Sequence, residues 1–147
     1  MDRDGFIAET RRLGPYVYLA TADAEATPHV VPIHIDWHRD HLYAAVGSED
    51  AKVRNIGANP KVCLHYMVGP DTNWDSLIVW GQAEVLDSID DKERLWSGVL
   101  TYDLERFSPG GPHNSPGTVF IRVRVRRAVL LKNFGFAGRD EWNPTPG

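Results

Sequence analysis

Apolar and polar positions along this chain change period several times, and each change marks an expected element. Residues 4–13 place Phe6, Ile7, Thr10 and Leu13 near one face of a short amphipathic helix, and Gly14 with Pro15 stops it. The period then falls to two. Tyr16–Ala22 is β-branched and aromatic, turn formers follow from Asp23 to Pro28, and residues 29–37 predict the second strand of a hairpin. In that strand Val31, Ile33, Ile35 and Trp37 share one face while Val30, Pro32, His34 and Asp36 share the other, because strand side chains alternate. The first set is expected to pack and the second to face something polar. Pro32 cannot donate a ladder hydrogen bond, which predicts a sheet edge or a bulge, a common border of ligand sites.

Residues 38–40 read as a turn, residues 41–46 as a third strand, and Gly47 to Asp50 as the lead into a short helix at Ala51–Ala58, ended by Asn59 and Pro60. Residues 61–68 and Ser76–Leu86 predict two more strands around a polar loop at 69–75. Ser88, acids at 90, 91 and 93, and apolar Leu95, Trp96, Val99 and Leu100 predict an N-capped amphipathic helix whose acidic start suits the helix dipole. A Pro- and Gly-rich loop at 107–117 leads to strands at 118–126 and 128–132, then to a polar tail. Short antiparallel strands with few helices predict a mainly β chain, closed or nearly closed as a barrel, which manages exposed sheet edges.

Length and composition narrow the picture. The 147 residues predict one domain spanning 1–147, with its core at about 5–131, a tail at 133–147 and loose ends. A hydrophobic share of 42% is that of a folded chain. The formal charge of -4 argues against a nucleic-acid partner, whose binding rests on Lys and Arg, and favours a small molecule. The start lacks the order of a secretory signal and no apolar run approaches a membrane span, so a cytoplasmic, membrane-free protein is expected. Cys63 is the single cysteine, which excludes a disulfide framework and suits a reducing compartment.

Candidate chemistry gathers in a few places. Ser48, the backbone N–H groups before Ala51, Lys52 and Arg54 form a composition able to hold a phosphate at a helix start; a capped surface helix with solvated charges explains the same residues. Arg122, Arg124 and Arg126 make a basic rail on one strand face, read either as an anion clamp or as a solvent face that discourages edge pairing. Of the six histidines none has a metal-ligand spacing, and His34, on the polar face beside Pro32, is the catalytic candidate against a structural alternative. No Gly-x-Ser-x-Gly elbow, Gly-x-Gly-x-x-Gly turn or P-loop occurs, so hydrolase, Rossmann and ATP-site readings are unsupported.

The succession 19–22 (LATA), 28–35 (PHVVPIHI), 41–43 (HLY), 52–56 (KVRNI), 59–62 (NPKV) and 79–85 (VWGQAEV) resembles the pyridoxamine 5'-phosphate oxidase-like superfamily of FMN-binding split-barrel proteins, over roughly residues 5–131. The resemblance implies a six-stranded antiparallel split β-barrel and a homodimer with cofactor sites at the interface. It further implies that His29, Val30, Val31, Pro32 and Ile33 line the isoalloxazine, that Lys52 with Ser48 and Arg54 binds the phosphate, and that Gln82 approaches the ring from the other subunit. FMN is the expected cofactor, with the deazaflavin coenzyme F-420 as the alternative. The expected activity is hydride transfer with a small organic substrate, whose contacts would come from the loops at 69–75 and 107–117; His34 is placed to assist protonation. Haem-binding and non-catalytic ligand-holding split barrels form the alternative class. This chain departs from the pattern where relatives carry Thr near the end of the third strand and Ser or Arg just before the lysine: it has Val46, Asp50 and Ala51. An Asp beside a phosphate dianion is repulsive unless it turns away, so Ser48, Arg54 or a rail arginine is expected to compensate.

Overall fold

In the computed structural model, which describes residues 1–144, the chain opens with α1 (Arg3–Leu13). Asp2 caps it by accepting from the Gly5 N–H, and its buried residues are Phe6, Ile7, Thr10 and Leu13, the face that the sequence spacing predicts. β1 (Tyr16–Ala22) pairs in full with β2 (Pro28–His34) across a turn in which the Asp23 side chain accepts from the N–H groups of Glu25 and Thr27.

The second strand expected at 29–37 is divided. β2 ends at His34, Ile35 turns to donate its N–H to the Pro15 carbonyl at 2.9 Å, and β3 (Asp36–His38) pairs instead with β4 (His41–Gly47). One expected strand therefore serves both edges of the sheet. After α2 (Ala51–Ala58) come β5 (Lys61–Tyr66), β6 (Ser76–Leu86) and α3 (Ile89–Leu95). α3 is shorter than its apolar pattern suggests. Ser88 caps it by accepting from the Asp91 N–H, but the chain leaves the helix before Gly98, whose φ is 83°. Trp96 and Val99 are still buried, against Tyr43, Leu86 and Phe120.

The strands expected at 118–126 and 128–132 are one continuous strand, β7 (Thr118–Lys132). β6 pairs with it over the whole length of β6, from Ser76 opposite Leu131 to Leu86 opposite Phe120, with a register shift at Trp80 and Gly81. Arg126 is the extra residue there, since Gly81 faces Val125 and Trp80 faces Arg127. The sheet order is β2-β1-β5-β6-β7-β4-β3, and β8 (Gly138–Trp142) adds to the end of β7. The split-barrel expectation holds, with eight strands in place of six: the break at Ile35 makes one and the tail makes another. Pro32 sits on the edge strand β2, where its missing N–H costs no ladder bond.

The interior of the curl is filled by Val17, Leu19, Leu42, Leu64, Tyr66, Leu77, Val79, Ile121 and Val123, closed at one end by Phe6 of α1. Nor are the described ends loose. The Met1 ammonium donates to Asp140 Oδ1 and to the Glu141 carbonyl, and Trp142 stacks on Phe6 with centroids 4.7 Å apart. Part of the tail at 133–147, residues 145–147, lies outside the described residues.

Candidate functional site

The β4–α2 junction is built around one carboxylate. Asp50, the residue before α2, makes no side-chain cap to the helix; its Oδ2 instead accepts from Lys52 Nζ at 2.7 Å and from the Gly47 N–H at 3.1 Å. These are an ammonium and a backbone donor aimed at one oxyanion, the donor set that a phosphate oxygen uses. The Lys52 bond, opposed by partial burial, holds the Asp50 carboxyl below its ordinary range. Lys52 is nearly covered, with its side chain 13% exposed, whereas Asp50 is 42% exposed and lies on the solvent side of the pair. The other expected phosphate ligands are engaged differently. The Ser48 N–H donates to the Gly117 carbonyl, and Arg54 Nη1 donates to the Glu49 carbonyl.

α2 is fixed against the barrel by Asn55, whose Nδ2 donates to Thr21 Oγ1 at 3.0 Å. Thr21 is buried, and directly opposite it on β2 is His29. The His29 Nδ1 atom is itself buried and has no hydrogen-bond partner among the described residues. An orphaned polar atom in such a place asks for a ligand atom or a water. Lys52 and Asn55 are three apart on α2 and so share a side of the helix, which brings Lys52, Thr21 and His29 into one neighbourhood. On the chemistry of these donors the junction fits the phosphate end of a cofactor, and the His29 atom fits a polar ring edge.

The other expected ring-lining residues divide between the two faces of β2. His29, Val31 and Ile33 are half-buried towards the barrel, whereas Val30 and Pro32 point outward. The outward face differs from the polar one that alternation suggests: Tyr16, Tyr18 and Val30 are 56%, 46% and 62% exposed, and Pro32 lies opposite Tyr18. An exposed run of aromatic and aliphatic side chains on an edge hairpin is unusual for a free surface. Gln82 is exposed on this same outer face, opposite Lys61, and its Oε1 accepts from Arg126 Nη2 at 2.9 Å. The basic rail is thereby partly tied to β6, since Arg122 pairs with Glu84 as well.

At the far end of β2, His34 forms a second cluster. Its Nε2 lies 2.7 Å from Asp36 Oδ2 and 3.0 Å from Thr101 Oγ1. Asp36, although on the face expected to be polar, is buried; it accepts from the Thr101 N–H at 2.8 Å and from the Thr101 hydroxyl at 3.0 Å. A carboxylate accepts only, so in this contact Nε2 is the donor and Nδ1 is the nitrogen left facing away from Asp36. The ring lies edge-on to Tyr16 and Tyr102 and lines a pocket of about 570 Å³ with Pro15, Tyr16, Thr101, Tyr102 and Phe107. Behind it the buried Tyr66 hydroxyl has no partner among the described residues, and burial together with Asp36 pushes its ionisation up. Thr101 and Tyr102 carry no motif in the sequence, being 65 and 66 residues beyond Asp36 in an irregular segment.

The two loops expected to touch substrate are separated. Phe107 reaches the His34 pocket, whereas residues 70–75 meet the tail, where Trp74 stacks on Phe134 with centroids 5.7 Å apart. Of the tail aromatics, Phe134 packs on Trp74 and Trp142 on Phe6, while Phe136 is exposed.

The sequence profile described as pyridoxamine 5'-phosphate oxidase matches residues 6–132. None of the curated proteins matches the chain in sequence. Among solved structures, one similar protein is from Clostridium acetobutylicum, related to general stress protein 26 of B. subtilis and described as of the pyridoxinephosphate oxidase family. It is 18% identical with a TM-score of 0.74, covering 95% of each chain. An FMN-binding protein related to pyridoxamine 5'-phosphate oxidase from Nostoc punctiforme is 14% identical with a TM-score of 0.67, over 98% of this chain and 97% of its own. These two share the fold. An F420 reductase is 26% identical with a TM-score of 0.57, over 79% of this chain and 90% of its own.

Proposed function

The chain belongs to the pyridoxamine 5'-phosphate oxidase family, and from that premise we propose that it is a flavin- or deazaflavin-dependent oxidoreductase acting on a small organic substrate as a homodimer. The observation that carries this is the oxyanion-holding donor pair of Lys52 and the Gly47 N–H, together with the unpartnered His29 Nδ1 across Thr21. When bound, FMN or coenzyme F-420 supplies the hydride transfer. The protein supplies position and charge. Lys52 and the Gly47 N–H hold a phosphate oxygen, with the Ser48 hydroxyl and Arg54 beside them, and the Asn55–Thr21 bond keeps these donors in fixed relation to β1. His29, Val31 and Ile33 offer the inward face of β2 to the ring system, and Val30 and Pro32 its outward face.

His34 serves the substrate. With its Nε2–H committed to Asp36, Nδ1 is the atom able to take or release a proton at the pocket wall. Tyr16, Tyr102 and Phe107 give that pocket apolar, aromatic walls, which favour a planar apolar substrate. The exposed Tyr16, Tyr18, Val30 and Pro32 face is the surface we assign to the second subunit, with Gln82 on the same sheet face placed to approach the cofactor there. The single Cys63, whose ionisation is pushed up by burial, suits a reducing, cytoplasmic setting.

The test is equilibrium titration of the purified apoprotein with FMN and with coenzyme F-420, followed by fluorescence and absorbance. Micromolar or tighter binding of either, about -8 kcal/mol, supports the assignment. Failure of both, with a Soret band on adding haem, would overturn it in favour of haem binding.

A further inference from the structure

We propose that Asp50 selects the cofactor: as a built-in oxyanion on the Lys52 and Gly47 donors, it favours a tail that presents a phosphodiester there over one that presents a phosphate monoester. This rests on the assignment of the β4–α2 junction to the cofactor phosphate.

The physical basis is the charge balance at the junction. Asp50 Oδ2 already takes the Lys52 ammonium at 2.7 Å and the Gly47 N–H at 3.1 Å. The carboxylate is also lodged against Gly47, where a Cβ would stand 2.8 Å from Asp50 Oδ1. An incoming phosphate oxygen reaches the same donors in one of two ways. Either Asp50 swings out, for which its 42% exposed side chain has room, or both anions share Lys52. In the first case Lys52 exchanges one oxyanion for another and little electrostatic energy is gained. In the second the anions repel at short range. Arg54 adds a weaker attraction to the Asp50 charge, but its Nη1 is already committed to the Glu49 carbonyl, so Lys52 carries most of the balance.

Either way the penalty scales with the charge brought in. A phosphate monoester such as that of FMN carries about -1.5 to -2 near neutrality. At the junction itself the phosphodiester in the tail of coenzyme F-420 brings a single negative charge, the tail's carboxylates lying farther along, and riboflavin brings none. The same carboxylate therefore weighs most against FMN, less against F-420 and not at all against riboflavin. The lowered ionisation of Asp50 beside Lys52 keeps that charge in place at neutral pH. Of the compensators expected from the sequence, Ser48, Arg54 or a rail arginine, Arg54 adds a weaker attraction to the Asp50 charge, while the direct partner is Lys52 itself.

The experiment compares dissociation constants of FMN, coenzyme F-420 and riboflavin for the unmodified protein, Asp50→Asn and Lys52→Ala, read by fluorescence titration. Asp50→Asn keeps the shape and the fold, which thermal unfolding checks. Its expected result is FMN binding at least about tenfold tighter, a clearly smaller gain for F-420 and no change for riboflavin. An equal change for all three ligands, or no change for FMN, overturns the selection by Asp50. Lys52→Ala separates the two levels. Loss of FMN and F-420 affinity in that variant keeps the phosphate at the junction even when Asp50→Asn does nothing, whereas unchanged affinity removes the junction from the site altogether.

Discussion

The Nε2 of His34 lies 2.7 Å from Oδ2 of Asp36, a buried carboxylate whose remaining hydrogen bonds among the described residues come from Thr101 alone. This arrangement fixes the imidazole tautomer and aims its free nitrogen away from the carboxylate. A His–carboxylate pair at the mouth of an aromatic pocket is the geometry of a positioned acid or base.

Replacing His34 by Gln is expected to lower turnover of the cofactor-loaded protein by about 10²-fold, the lower end of what general acid–base catalysis contributes, with cofactor affinity unchanged. Asp36→Asn is expected to lower turnover as well and to shift the pH–rate profile, because an amide no longer holds the imidazole in one tautomer. Steady-state kinetics over pH, set beside cofactor titration, checks both. Equal turnover in the His34 variant would make the cluster structural.

Tyr18 and Val30 are both about half exposed on the outer face of the β1–β2 hairpin. If this face is the proposed subunit interface, a charge placed in it leaves an unpaired buried group, so Tyr18→Asp is expected to shift the proposed dimer to monomer at micromolar concentration. Sedimentation velocity reads this directly. A monomer for the unmodified chain would remove the hairpin face as an interface.

Asp75 couples three elements. It is buried after the 70–72 turn, its Oδ2 accepts from Arg12 of α1 at 2.7 Å, and its Oδ1 accepts from the Asn133 N–H at 2.9 Å. Burial alone would raise its ionisation, but the Asn133 and Arg12 bonds hold it below the ordinary range. For a group whose folded-state pKa is depressed, stability is present above the unfolded value, about 3.9, and is lost as pH falls through the folded value. Asp75→Asn should therefore cost about 1–3 kcal/mol at neutral pH, and the difference from the unmodified protein should shrink as pH falls below about 4. Denaturant unfolding at pH 7 and pH 3 makes the comparison. A difference independent of pH would assign the effect to packing.

Gly81 sits at the register shift between β6 and β7, where a Cβ would meet the Arg124 carbonyl oxygen at 2.6 Å and Val123 Cγ1 at 2.7 Å. Backbone cannot retreat cheaply inside a ladder. Gly81→Ala is expected to destabilise by about 1–3 kcal/mol, seen as a lower unfolding midpoint with an unchanged denaturant slope.

Much of this fold was legible along the chain. The α1 face, the limits of β1 and β6, the Ser88 cap and the edge position of Pro32 all follow from local rules: period, capping chemistry and a missing N–H. The resemblance carried by LATA, PHVVPIHI and VWGQAEV anticipated the split barrel, now matched by the family profile over residues 6–132. The phosphate role of Lys52 was implied by the resemblance, since the residues around it suit a capped surface helix as well.

The rest depended on distance in space. That Ile35 breaks a strand is decided by the Pro15 carbonyl it must satisfy. That β7 runs unbroken past Arg127 is decided by the length of its partner β6. Thr101 completes the His34–Asp36 cluster from a segment with no motif, and Trp142 closes the barrel against Phe6 from a tail that reads as polar. What the sequence by itself determined were the properties set by neighbours in the chain: element type, faces, caps and family. Tertiary structure alone decided which carboxylate meets which histidine and that Asp50 holds Lys52, because contact energies fall steeply with separation and the folded chain sets those separations.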